Sequence, residues 1–148
     1  MFAVVFTCTL LIAFTTLLHY EALQQLHRRL VSASMPSRPK VLVVMFGAFV
    51  AHAAEVALYG LAYYVLLSHV GAGTLMGIQD GHRTRSLLEC MYFSGATYTS
   101  LGLGDLAPTG PIRLLAAAQA LHGLLLIGWT ASFLYIAMER FWNARHPH

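Results

Sequence analysis

Tyr92-Phe-Ser-Gly-Ala-Thr-Tyr-Thr-Ser-Leu-Gly-Leu-Gly-Asp-Leu-Ala-Pro108 is the stretch that decides how this chain is read. It lies between two long apolar segments. Its first half belongs to a short helix expected over 87–98, too short to cross a bilayer, which takes about 20 residues. Its second half, Thr99-Ser100-Leu101-Gly102-Leu103-Gly104-Asp105, carries Gly-x-Gly and reads as an extended turn that stops at Pro108. Irregular backbone cannot face lipid, because each unpaired amide or carbonyl there costs several kcal/mol; it is tolerated where it lines a watery path. Gly102 and Gly104 accept positive φ, which lets successive carbonyls point the same way.

Composition agrees with a membrane setting. The chain has 148 residues, 57% hydrophobic and 10% charged, against about 25% charged in a typical soluble domain. The formal net charge of +3 comes from basic residues clustered in short segments between apolar runs. That is the pattern of positive-inside loops and not of a nucleic-acid interface, and no nucleic-acid module is present. Cys8 and Cys90 lie in or beside apolar segments without a C-x-x-C partner, so buried, inert thiols are expected.

The organisation follows from the apolar runs. Residues 1–26 form an N-terminal transmembrane helix: Met1 to Leu18 holds no charge, and the basic residues follow the apolar stretch, the reverse of a signal peptide. Residues 27–40, with Arg28, Arg29, Arg38 and Lys40 and with Pro36 and Pro39 as breakers, are expected to be a cytoplasmic loop. Residues 41–140 form a pore domain. It consists of an outer helix at 41–68, an extracellular loop at 69–86, a pore helix at 87–98, a filter at 99–105 and an inner helix at 111–138. A cytoplasmic tail, 141–148, completes the chain. Ser86-Leu-Leu-Glu89 has the form of a capping box at the start of the pore helix. The fold class is thus an all-α membrane protein with three transmembrane helices, a re-entrant helix and a loop, its N-terminus outside and its C-terminus cytoplasmic.

Thr99-Ser100-Leu101-Gly102-Leu103-Gly104-Asp105 closely resembles the selectivity filter of potassium channels, usually written TTVGYGD. The resemblance covers roughly Leu66 to Arg140 and is to the two-helix bacterial potassium-channel pore, with one extra N-terminal span. It implies a homotetramer in a membrane of the bacterial inner type. Potassium ions would sit at Ser100, Leu101, Gly102 and Leu103 as the permeant species, with no other cofactor and no enzymatic chemistry. Gly123 and Gly128 stand where that family's inner helix carries glycines used for bending; close helix packing is the other reading. Gly102, Gly104 and Ala107 also brush the dinucleotide fingerprint, but that pattern needs a βαβ unit the chain lacks.

Two positions depart from the family. Leu103 replaces the usual tyrosine and offers an apolar contact, expected against Tyr92 or Phe93, without a hydroxyl. Ala96 stands where some members place a glutamate that bonds the filter aspartate, so Asp105 is expected to lack that partner. The carbonyl rings need neither side chain. The rival on the same fold is a non-selective cation channel.

His52 and Glu55 are three residues apart on one face near the middle of the second span, with His122 on the last span as a candidate partner. Ionisable groups at that depth are expected to be functional. They read either as a buried structural pair or as a sensor or metal pair, and a small membrane enzyme built on His52, Glu55 and His122 is the remaining rival. From the pair alone, Glu55→Gln should leave a polar group unpaired and weaken the fold. Leu124, Ile127, Ala131 and Tyr135 share a stripe of the last span and are a candidate pore face.

Overall fold

The computed structural model of the protein describes residues 1–32, 36–77, 83, 84 and 86–143. Three long helices carry it: α1 (Phe2–Ser32), α2 (Ser37–Val65) and α4 (Ile112–Asn143). Each contains an apolar window long enough to cross a membrane, over Phe2–Leu30, Pro39–Val70 and Ile112–Arg140, and less than a third of each window is buried within the chain. Phe6, Leu10 and Phe14 of α1, Phe46 and Phe49 of α2, and Leu121 and Leu125 of α4 are exposed. Large apolar side chains on the outside of a folded chain are what a lipid solvent selects, and the protein is an integral-membrane protein.

In α1 the hydroxyls that lipid cannot solvate are spent on the helix itself. Thr9 donates to the Val5 carbonyl (3.1 Å), Thr15 to Leu11 (2.7 Å) and Thr16 to Ile12 (2.7 Å). The helix runs on through Arg28 and Arg29 to Ser32, and Pro39 lies inside the first turn of α2. The loop expected over 27–40 is therefore helical at both ends. Leucine, glutamine and arginine are good helix formers. Basic charge favours a helix C-terminus, and proline in a first turn removes only an amide that had no helical partner.

α2 ends in a π-helical turn, Leu66–Val70, closed by Gly71 in the left-handed region. A small sheet beyond it adds short strands, which were not expected, to an architecture that is otherwise all-α. β1 (Thr74–Gly77) pairs antiparallel with β2 (Arg83–Thr84) on one side and with β3 (Leu106–Thr109) on the other, giving the order β2-β1-β3. Leu75 faces both Thr84 and Pro108, and Met76 faces both Arg83 and Ala107. Pro108 is accommodated because β3 is an edge strand. The sheet matters for position: β3 is the segment that leaves the Gly-x-Gly turn, and it is stitched to the end of α2.

Between β2 and β3 lies the short helix α3 (Leu87–Tyr98). Ser86 is its N-cap with extended backbone, but its side chain makes no capping bond; the first turn is closed by the Cys90 amide on the Ser86 carbonyl at 3.1 Å. The apolar core sits at the sheet end, where Tyr59, Tyr63, Leu66, Leu67, Leu75, Cys90, Phe93, Ile112 and Leu115 meet Val4, Cys8 and Leu11 of α1. Both cysteines are buried and unbridged. α4 continues past the expected end of the inner helix to Asn143; of the tail, 144–148 lie outside the described residues.

Candidate functional site

The Gly-x-Gly turn hangs from the C-terminus of α3. The Thr99 amide bonds the Gly95 carbonyl (3.3 Å) and the Ser100 amide bonds Thr97 (3.0 Å). The Leu101 and Gly102 amides share the Ala96 carbonyl at 3.0 and 3.2 Å. The first amides of the turn are thus tied back to helix carbonyls. φ is +56° at Ser100, +52° at Gly102 and +78° at Gly104, and is not positive at Leu101 or Leu103. Alternation of hand sets amides to one side of the ribbon and carbonyls to the other. Ser100 is the sole non-glycine with positive φ among the described residues, a strained conformation that persists only where neighbours enforce it.

The far end of the turn is also fixed. Asp105 takes the Leu106 amide on Oδ1 at 3.0 Å and the Tyr92 hydroxyl on Oδ2 at 2.7 Å. The Tyr92 hydrogen bond, with the Leu106 amide, holds this carboxyl below the usual aspartate range. Asp105 has no acid at position 96 to bond, as Ala96 implies, and Tyr92 serves as its side-chain partner instead. Tyr92 lies four residues before Ala96, one turn back on the same face of α3, and its longer side chain reaches the aspartate. Leu103, expected to pack on Tyr92 or Phe93, is 57% exposed within the chain. Phe93 instead meets the edge of Tyr63 with ring centroids 5.1 Å apart.

Gly123 of α4 explains how closely the last helix approaches the turn. A Cβ there would stand 2.1 Å from the Tyr98 carbonyl oxygen. A Cβ on Gly128 would meet nothing within 4 Å. Leu124, Ile127 and Tyr135 are exposed, so that stripe faces away from the chain's own core.

A short helix followed by a turn with recurring positive φ, between two spans, is consistent with pore-loop geometry, and the comparison with known proteins agrees. A family model described as "Ion channel" matches residues 41–140, more than half of the chain. The chain belongs to the ion-channel family. Among curated proteins it is similar to Two-pore potassium channel 1 of Arabidopsis thaliana, at 41% identity over 50 residues. That match covers 33% of this chain and 14% of the relative. It is also similar to Two pore potassium channel b of Oryza sativa subsp. japonica, at 32% identity over 94 residues, 60% of this chain and 27% of the relative. The matches thus span about a quarter or less of the length of these relatives. No solved structure matches the chain.

The ion-channel match begins at residue 41, yet α1, which precedes it, contributes to the polar centre of the molecule. Glu55, fully buried on α2, has His19 of α1 on Oε1, Nδ1 to oxygen 2.8 Å. On Oε2 it has His52 at 3.2 Å and the hydroxyl of Tyr98, the last residue of α3. His52 Nδ1 is also 2.8 Å from the Tyr98 hydroxyl, and its Nε2 is 2.9 Å from Thr130 of α4. Thr130 closes the ring on His19 Nε2 at 3.0 Å. Three helices therefore meet at one carboxylate next to the start of the Gly-x-Gly turn, and Thr130 ties α4 to them through the two histidines.

The expected partner His122 is not in this ring. Its Nε2 meets Thr16 at 3.0 Å and its Nδ1 meets the Tyr59 hydroxyl at 3.2 Å. His19 takes its place, and sequence reasoning missed it; a buried histidine in an otherwise apolar helix was the available signal. Ligand atoms of His19, His52 and Glu55 lie within 4.8 Å of one another, the spacing of a metal site. In this arrangement the same atoms serve as hydrogen-bond partners within the ring. A second buried network was also missed. Tyr63 donates to Gln119 Oε1 at 2.8 Å. Gln119 Nε2 donates to the Ser94 carbonyl and hydroxyl at 3.1 and 2.7 Å, and Ser94 donates to the Val56 carbonyl at 2.8 Å. Among the described residues every buried side-chain nitrogen and oxygen has a partner.

Proposed function

We propose that four copies of this chain assemble around a fourfold axis and conduct monovalent cations passively across a membrane, with potassium preferred. One observation carries the reading: positive φ at Ser100, Gly102 and Gly104, alternating along a turn that follows a short helix between two spans. One such turn per chain lines only part of a path. Four of them would present rings of carbonyls from Thr99 to Leu103 that replace an ion's hydration shell, with Asp105 at the mouth. The α3 C-terminus would aim its negative end at the cavity below. The names of the plant relatives, both potassium channels, support potassium as the ion. Membership of a channel family favours conduction over a catalytic use of His52, Glu55 and His122.

The charge pattern supports one orientation. α1 and α2 are joined near Arg28, Arg29 and Lys40, and Phe133 of α4 stands level with His27, ring centroids 6.4 Å apart, so Arg140 belongs to that same end. Positive charge marks the cytoplasmic side, which puts the sheet and the N-terminus outside. On this reading Gly128, with open space around it, is the better hinge candidate, and Gly123 is a packing glycine.

A non-selective cation channel is the second reading, favoured by Leu103, which brings no hydroxyl and makes little contact within its own chain. Reconstitution tests both. Mass measurement in detergent should give four chains per particle. Vesicles should pass potassium faster than sodium, and the flux should vanish in Gly102→Val, which cannot hold positive φ. A monodisperse monomer or dimer, or a flux indifferent to Gly102, refutes the pore. A bi-ionic reversal potential near zero selects the non-selective reading.

A further inference from the structure

Hydrogens can be counted around the ring that joins His19, Glu55, His52, Tyr98 and Thr130. Five contacts each need one hydrogen. They are His19 to Glu55, Tyr98 to Glu55, His52 Nδ1 to the Tyr98 and Glu55 oxygens it faces together, His52 to Thr130, and Thr130 to His19. With both imidazoles neutral and the carboxylate ionised, the groups supply four: one from each ring, one phenolic, one hydroxyl. The missing hydrogen is a proton. Adding it also cancels the charge of Glu55, so the ring is fully bonded and electrically neutral in the same state. Both conditions weigh heavily at this depth, where an open contact or an unpaired charge is costly.

We propose that this ring is a one-proton binding site that fastens α1 to the entrance of the pore loop. The site holds its proton on the His19–Glu55–His52 unit. When the proton leaves, one contact opens and an uncompensated negative charge remains behind Tyr98. The Tyr98 hydroxyl then has two acceptors to serve, Glu55 and His52, with one hydrogen. Tyr98 is the residue before Thr99, and its carbonyl is the atom seated against Gly123, so loosening it loosens the first turn of the filter. Of the adjoining titratable groups, Tyr59 is bonded to His122 and His122 to Thr16; they share no hydrogen bond with the ring, though they stand close enough to feel the charge of Glu55. On the α4 side Trp129 covers His19, ring centroids 5.5 Å apart. The link to ion flux rests on the conduction reading above; the proton site itself does not.

The arrangement makes an unusual demand on one substitution. In Glu55→Gln the hydrogens suffice without a proton. The new amide donates to His19 Nδ1, His19 Nε2 to Thr130, Thr130 to His52 Nε2, His52 Nδ1 to Tyr98, and Tyr98 to the amide oxygen. The ring changes the expectation drawn from His52 and Glu55 alone, because glutamine here completes the contacts instead of leaving one open.

Two measurements on the full chain in lipid test this. Nitrogen NMR of labelled histidines, assigned with His19→Gln and His52→Gln, together with infrared spectra of the carboxyl, should find the extra proton on the unit at neutral pH. Two neutral rings beside an ionised Glu55 would overturn the site. Potassium flux in vesicles, followed from about pH 5 to about pH 9, should fall on the alkaline side by about tenfold, the scale of one lost buried hydrogen bond. In Glu55→Gln that alkaline fall should be absent, whatever the absolute flux. An alkaline fall that survives in Glu55→Gln, or a protonated unit with flat parent flux, would overturn the coupling. No flux at any pH would instead sink the conduction reading and leave the proton site to the spectra.

Discussion

The hydroxyl of Tyr92 and the carboxylate of Asp105 stand 2.7 Å apart, joining the outer face of α3 to the end of the Gly-x-Gly turn. This bond takes the role for which the sequence offered no acid at position 96. Because it stabilises the ionised form, it lowers the carboxyl's pKa, so the charge is present above that value and is lost as pH falls through it. Tyr92→Phe removes the donor and raises the value. Acid inhibition of cation flux from the sheet side should then begin at higher pH than in the parent. Coincident acid limbs would show that Asp105 does not govern entry. This limb is acidic and so is distinct from the alkaline one assigned to the buried ring.

Gly123 and Gly128 should separate cleanly. Gly123→Ala forces a Cβ to 2.1 Å from the Tyr98 carbonyl, so α4 must back away from the turn. Overpacking of this kind costs about 1–3 kcal/mol, read as lower thermal stability of the oligomer. Gly128→Ala meets nothing and should be neutral or stabilising by up to about 1 kcal/mol. If Gly128 bends the helix during opening, its alanine variant should alter open probability in single-channel records at unchanged stability.

Gln119 serves two partners at once, Tyr63 through its oxygen and Ser94 through its nitrogen. Gln119→Leu keeps the volume but strands both. A stranded buried polar group costs about 1–3 kcal/mol. The variant should therefore melt well below the parent, and Tyr63→Phe, which removes one partner, should fall between them. Equal melting of parent and Gln119→Leu would mean that water reaches these groups.

Leu103 tests the proposed filter. The residue is exposed and brings no hydroxyl to hold the carbonyls. Selectivity depends on how many carbonyls coordinate an ion and how firmly they are held. Leu103→Tyr should raise the potassium-to-sodium permeability ratio measured in planar bilayers. A parent that already excludes sodium as well as the variant would show that the side chain at 103 is indifferent.

Much of this was legible because it is local. A 12-residue apolar segment between two longer ones reads as a helix too short to span, and α3 covers those residues. Gly102 and Gly104 announce positive φ by their identity, and both take it. The strands were not legible. Thr74–Gly77 and Leu106–Thr109 are four residues each, with glycine in one and proline in the other. Their pairing depends on a partner about thirty residues away, which α3 brings near. The capping box at Ser86 shows the converse: the residue types were right, and the side chain does not cap.

Three spans in a membrane, with one irregular turn between the last two, could be read from the residues alone, because bilayer thickness and backbone hydrogen bonding leave few other uses for such a pattern. His52 and Glu55 were marked in the same way, since spacing of three on a helix is a local fact. What those residues meet became visible only in three dimensions. His19 lies 36 positions from Glu55, Tyr98 lies 43, and Thr130 lies 111 from His19. None of these separations leaves a periodic trace. They are set by where four helices cross, and helix crossings are fixed by close packing of the whole set. A single small residue such as Gly123 therefore decides how near the last helix comes to Tyr98, and with it which polar groups meet.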